Sequence, residues 1–203
     1  MPWKGNAPMP SCNAAHQQEI LDAIAALRGA QRKAAEALVE EMGPKDLCVV
    51  LHAMRRWYSY NCWNAAKKII PHRAALSEAM GLDPPIGVYR GFKVAAGSPL
   101  LDGLDEGDTI KLPVTRNGGC TSWTGRRDIA NRFSGGGKGK VGLVVRLVGD
   151  KGLKPFIAPP EASRPFWNKL YETTMGTSFR NNEVEYAIYG RRIEVEILAI
   201  KRR

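Results

Sequence analysis

Histidine and cysteine are scarce in this chain of 203 residues. The histidines are His16, His52 and His72, the cysteines are Cys12, Cys48, Cys62 and Cys120, and no two cysteines form a C-x-x-C pair. No metal centre is therefore expected, and the cysteines read as four reduced thiols of a cytoplasmic protein, since disulfides are rare in that compartment. Long hydrophobic runs are missing as well: nothing approaches the roughly 20 apolar residues that a membrane span needs. The opening MPWKGNAPMPS has one lysine and no apolar run, so neither a signal peptide nor an anchor is expected there. Acidic residues are in deficit, 20 Asp plus Glu against 30 Lys plus Arg, for a net charge of +10. Such a field draws in anions, whether nucleic acid, an acidic protein surface or a phosphorylated cofactor. The basic residues come as dispersed pairs, Arg55-Arg56, Lys67-Lys68, Arg126-Arg127 and Arg191-Arg192, and not as a tail. A solvated surface and a nucleic-acid footprint are both compatible with that pattern.

With 44% hydrophobic and 25% charged residues the chain is globular in composition and long enough for a sizeable core. Residues 1–10, broken by Pro2, Pro8 and Pro10, form a lead-in, after which Ser11 or Asn13 suits a helix N-cap. From there to Met42 the composition is helical, with Ile20, Ile24 and Leu27 on one face, Gly29 as a kink or a split and Gly43-Pro44 as a stop. A second helix is predicted over 45–58, with Leu47, Val50, Leu51 and Met54 on one side. A third runs from 61 toward Ile70, and a short one ends at Gly81. Past Asp83-Pro84-Pro85 the texture changes to short apolar runs between glycine-rich turns. Strands are predicted at 87–92, 108–114, 118–123, 141–148, 183–189 and 193–201, with one helix at 128–133. The expected architecture is α+β, a helical segment over 11–85 packed on a mixed, mainly antiparallel β part over 86–203.

Four segments carry candidate chemistry. In Val88-Tyr89-Arg90-Gly91-Phe92 an arginine interrupts a strand-like run. A guanidinium there grips a phosphate or orients a carboxylate, unless it merely points to solvent from a strand end; Gly91 would admit a ligand close to the backbone. In Gly119-Cys120-Thr121-Ser122-Trp123-Thr124 the hydroxyls can bond a carboxylate and a ribose, or simply cap a strand-turn-helix whose helix places Ala130 and Phe133 on one face. In Asn182-Glu183-Val184-Glu185 two carboxylates share a strand face, which is costly unless the face is wet or the pair is used. Glu194 and Glu196 read as the wet face of an edge strand. The run from Ser134 to Gly142 contains G-x-G-x-x-G, but a strand follows it and none precedes it, so it reads as a basic, flexible loop.

The order of these segments, Arg on a strand, a hydroxyl-rich strand end, then Glu-x-Glu, resembles the Arg-Ser-Glu class of mono-ADP-ribosyltransferases, in particular phage-encoded members. The likeness spans about residues 86–203 and includes Tyr89-Arg90-Gly91, Thr121-Ser122-Trp123-Thr124, Ala130 with Phe133, Glu183-x-Glu185 and an apolar last strand. It departs from the pattern at Cys120, which stands for the first serine of the hydroxyl motif, and at Tyr186-Ala187. The resemblance implies a β-sandwich of the ADP-ribosyltransferase type and NAD as substrate, held by Arg90, Gly91, Thr121, Ser122 and Phe133. Catalysis would fall to Arg90, Ser122, Glu183 and Glu185, with Ser122 orienting Glu185 and Glu183 selecting arginine as acceptor. Phe179 and Arg180 would contact the acceptor, a protein, which the charge allows to belong to a nucleic-acid-bound complex such as a polymerase or ribosome. The setting would be the cytoplasm, that of a host if the gene is viral. An NAD glycohydrolase and a non-catalytic basic module contacting RNA or DNA are the competing readings.

Overall fold

A computed structural model of the chain describes residues 12–60, 63–79, 87–135, 137–149 and 185–202. Within them it is an α+β protein: helices lead and a six-stranded antiparallel sheet follows.

Helix α1 (Ala14–Ala25) starts where Asn13 can cap it, the Asn13 side-chain oxygen accepting from the His16 backbone N–H at 2.9 Å. Its buried face is Ile20, Ala23 and Ile24, the face the apolar spacing predicts, continued by Leu27. Helix α2 (Gly29–Tyr60) is two helical runs joined at Gly43, whose φ of 77° and ψ of 159° no helix accommodates. Pro44 opens the second run, where a missing N–H costs nothing and a fixed φ helps. The predicted break at Gly43-Pro44 is thus a sharp bend between two consecutive helical runs. Helices α3 (Trp63–Ile69) and α4 (Arg73–Ala79) follow, separated by a single 3-10 turn around Pro71. Leu38, Leu47, Leu51, Met54, Trp57, Ile69 and Leu76 form the core of this helical part, and Cys120 and Ala187 of the sheet belong to the same cluster. The helices therefore rest on one face of the sheet's end.

The strands are β1 (Tyr89–Ala95), β2 (Thr109–Pro113), β3 (Cys120–Thr124), β4 (Lys140–Leu147), β5 (Glu185–Tyr189) and β6 (Arg192–Lys201), in the spatial order β2-β6-β4-β1-β3-β5. All six predicted strands are present, most displaced by one or two residues at their ends. Seven register pairs, from Tyr89↔Arg146 to Ala95↔Lys140, join β1 to β4. Between β1 and β3 the register is the single pair Tyr89↔Thr124. The sheet thus falls into a four-stranded and a two-stranded part hinged at that pair. Trp123 and Ile188 of the smaller part share a second core with Val88, Leu143, Val145, Val195 and Ile197 of the larger.

Helix α5 (Arg127–Phe133) lies on β1, and its C-terminal end meets β4 at Gly142. Two glycines make that approach possible. A Cβ at Gly91 would sit 1.7 Å from the Ala130 carbonyl oxygen, and one at Gly142 would sit 1.8 Å from that of Ser134. Gly91 is therefore required by a helix, where the sequence reading assigned its bareness to a ligand.

Three further expectations are corrected. Cys12 and Cys48 are joined by a disulfide across 36 residues, so two of the four thiols are not reduced; Cys120 is a free, buried thiol. Strand β6 is interior, between β2 and β4, and not an edge. Glu194 is exposed as expected, but Glu196 pairs with Arg146 across the ladder, where the register sets them opposite one another. An apolar alternation reveals which face is dry but carries no information on how many neighbours a strand has. The described part of the glycine-rich loop is a tight turn into β4, with Gly139 at φ 68° and the Lys140 N–H donating to the Gly137 carbonyl at 2.9 Å. No helix among the described residues is long and apolar enough to cross a membrane.

Candidate functional site

Three adjacent strands bring together residues far apart in the chain. Arg90 is the second residue of β1, Ser122 the centre of β3 and Glu185 the first residue of β5. Because β1 and β3 pair at one position only, the gap beyond it is bridged by a side chain: Arg90 Nη1 donates to the Ser122 carbonyl oxygen at 2.9 Å. The guanidinium is half-buried and lies 5.8 Å from the Phe92 ring centre. The alternative of an arginine pointing from a strand end into water is therefore excluded.

Glu185 is 7% exposed, which excludes the wet-face reading for this residue. A buried carboxylate needs partners. One is the indole of Trp57, which is fully buried on α2; its Nε1 donates to Glu185 Oε1 at 3.2 Å. Directly across the β3–β5 ladder from Glu185 stands Thr124, with Ser122 opposite Ala187. Ser122 and Thr124 share a face by alternation, so Ser122 is the diagonal neighbour of Glu185 and Thr124 the immediate one. Thr124 is buried and its hydroxyl accepts from the Arg126 backbone N–H at 3.0 Å, tying the end of β3 to the start of α5.

The free thiol of Cys120 senses both charges. Burial pushes its pKa far up, the Glu185 carboxylate pushes it further, and Arg90 partly offsets the rise. Both charges therefore lie near enough to β3 to act on this thiol. A thiol held protonated in this way is a spacer and not a nucleophile.

The remaining predicted residues fall outside this group or outside the described residues. Thr121 points to the opposite face, its hydroxyl accepting from Trp123 Nε1 at 3.0 Å inside the second core. Phe133, the last residue of α5, is 54% exposed, whereas Ala130, expected on the same helix face, is buried against Gly91. Phe179, Arg180 and Glu183 lie outside the described residues.

Two contributors were missed from sequence. Trp57 lies 128 residues before its partner, on a helix of the N-terminal part, and no local signal links the two. Thr124 was legible in the hydroxyl run, but its position opposite Glu185 depends on the register.

Searched against known proteins, the chain matches no family model, no curated protein and no solved structure.

Proposed function

We propose that the chain is an NAD-dependent mono-ADP-ribosyltransferase, cleaving the nicotinamide–ribose bond and passing ADP-ribose to an acceptor, with protein arginine as the acceptor class. The observation that carries this reading is the placing of Arg90 and Glu185 on the two strands that flank β3. A cation suited to phosphate and a buried anion stand on the two strands that flank β3, and the Cys120 thiol of β3 feels both. On this reading the hinge at Tyr89↔Thr124 divides the sheet into the two layers of an ADP-ribosyltransferase-type sandwich, with the second core as its filling.

The chemistry asks for a few things. NAD is an anion at its pyrophosphate and a cation at its nicotinamide ring. Departure of nicotinamide leaves positive charge on the ribose, as in glycoside hydrolysis, and a fixed anion beside that carbon lowers the barrier. Arg90 holds a phosphate, and its planar donor set allows that while Nη1 keeps its bond to the Ser122 carbonyl. Glu185 supplies the anion. A carboxylate has about four acceptor positions, so the Trp57 indole on Oε1 and a ribose hydroxyl can be accepted together. Because Trp57 and Glu185 are buried, the anion is preoriented and its field little screened. Ser122 and Thr124 line the face beside Glu185, and Phe133, exposed at the end of α5, offers a ring to nicotinamide. Glu183, two residues before Glu185, is assigned to the acceptor guanidinium, whose nucleophilicity depends on a base that takes its proton. The charge of +10 favours an anionic partner, such as a nucleic-acid-bound protein complex.

The test is NAD labelled in its adenylate half, incubated with the protein and a cell lysate. Labelled protein, lost in Glu185→Gln and in Arg90→Ala, is the expected result. Free ADP-ribose without labelled protein or RNA identifies a glycohydrolase. Consumption of NAD equal in wild type and Glu185→Gln removes the assignment.

A further inference from the structure

The sequence contains C-x-x-x-H twice, Cys12 with His16 and Cys48 with His52. On α2 a separation of four residues puts Cys48 and His52 on one face, Cys12 stands just before the Asn13 cap of α1 and His16 in its first turn, and the fold brings the two pairs together. The ligand atoms of Cys12, Cys48 and His52 all lie within 4.8 Å of one another. The His16 ring stands edge-on to that of His52, with centroids 6.3 Å apart. Both pairs are held by the backbone: Asn13 caps the turn between Cys12 and His16, Gln17 Nε2 donates to the Cys12 carbonyl at 2.9 Å, and Cys48 and His52 lie on successive turns of α2.

We propose that, once the Cys12–Cys48 bond is reduced, these four side chains form a closed Cys2His2 site for a zinc ion, clamping the start of α1 to α2. Tetrahedral zinc with bonds of about 2.3 Å to sulfur and about 2.0 Å to nitrogen needs donor atoms about 3.3–3.8 Å apart. Cys12, Cys48 and His52 need only a short movement to reach that spacing, and the His16 ring, its centroid 6.3 Å from that of His52, turns inward to complete the set. Two thiolates and two neutral imidazoles exactly cancel the charge of the ion, which suits a place where Cys48 and His52 are buried. A dithiol reductant gives up two electrons and two protons and becomes a cyclic disulfide. The Cys12–Cys48 S–S bond breaks to two thiols, and zinc then displaces their two protons to solvent. Disulfide and zinc are alternative cross-links of the same two cysteines, selected by the redox state of the compartment.

The full chain, prepared under a dithiol reductant, is analysed for zinc and titrated with cobalt(II) as a spectroscopic substitute. One equivalent of zinc per chain is expected, with cobalt bands typical of tetrahedral coordination and sulfur-to-cobalt charge transfer. Cys48→Ser and His52→Ala should each weaken zinc binding by at least about tenfold, and His16→Ala should weaken it and shift the cobalt bands. As a measurement independent of variant folding, zinc should slow maleimide labelling of Cys12 and Cys48 in the wild-type protein, and a chelator should restore it. The proposal is overturned by a reduced chain that takes up no zinc, by cobalt bands unchanged in Cys48→Ser, or by labelling indifferent to zinc.

Discussion

Trp57 and Glu185 offer the sharpest energetic test of the site, because a hydrogen bond joins a helix of the N-terminal part to β5, the last strand of the described sheet. Trp57→Phe removes the indole N–H and leaves an aromatic ring in place. A hydrogen bond to a charged group contributes about 1.5–3 kcal/mol, and the upper half of that range applies here, since the indole is fully buried and the carboxylate 7% exposed. The smaller ring also leaves a void, so the total loss for Trp57→Phe is expected at about 3–4 kcal/mol. Urea unfolding of wild type, Trp57→Phe, Glu185→Ala and the double variant closes a cycle that separates the bond from the void. The expected coupling is about 2–3 kcal/mol. A coupling below about 0.5 kcal/mol, the level at which distant residues simply add, would refute the claim that the helix fixes this carboxylate.

Other perturbations follow from the same geometry. Gly91→Ala and Gly142→Ala each set a Cβ within 1.8 Å of a carbonyl oxygen of the Ala130–Ser134 segment; each should cost about 3 kcal/mol or more in urea unfolding, and a loss under about 1 kcal/mol would show that α5 is free to shift. Cys120 has its pKa raised by burial, then by Glu185, so the folded state keeps a proton that the unfolded state loses above the ordinary thiol value of 9.0. That contribution is fully present below pH 9 and falls by about 1.4 kcal/mol per pH unit above it. Wild type should therefore lose stability more steeply than Cys120→Ala between pH 9 and 10.5, and parallel curves would contradict the burial argument. Phe133→Ala, at an exposed ring, should alter stability by no more than about 0.5 kcal/mol while raising the KM for NAD; an unchanged KM would remove Phe133 from the site.

The fold was legible where the chain states its own boundaries. Asn13 capped a helix, Gly43-Pro44 broke one, and each of the six apolar runs past residue 85 became a strand. Legibility stopped wherever the answer depended on a neighbour. The alternation in β6 showed a wet face but not that β2 lies beyond it. Gly91 signalled close approach without saying whether helix or ligand approaches. Of the site, Arg90 stands out as a charge in a strand-like run, while Ser122 and Glu185 are singled out by the order of the motifs and the resemblance it carries. Trp57 is ordinary for a helical core, and Thr121 and Ser122 look alike until the pleat sends them to opposite faces. Counting C-x-x-C pairs also overlooked the cysteine–histidine spacing of four, one of the spacings at which a helix brings two ligands together.

The central claim is that NAD lies with its phosphate on Arg90 and its scissile ribose against Glu185, and it can be read from one paired measurement of binding and bond cleavage. NAD affinity by calorimetry and nicotinamide release are followed for wild type, Arg90→Lys and Glu185→Gln. Glu185→Gln should bind NAD within about threefold of wild type yet release nicotinamide about 10²–10³ times more slowly, the usual cost of removing one group that stabilises developing charge. Arg90→Lys should lose affinity first, because a point charge cannot replace the planar donor set. Nicotinamide release at the wild-type rate from Glu185→Gln, or NAD affinity untouched by Arg90→Lys, would contradict the account.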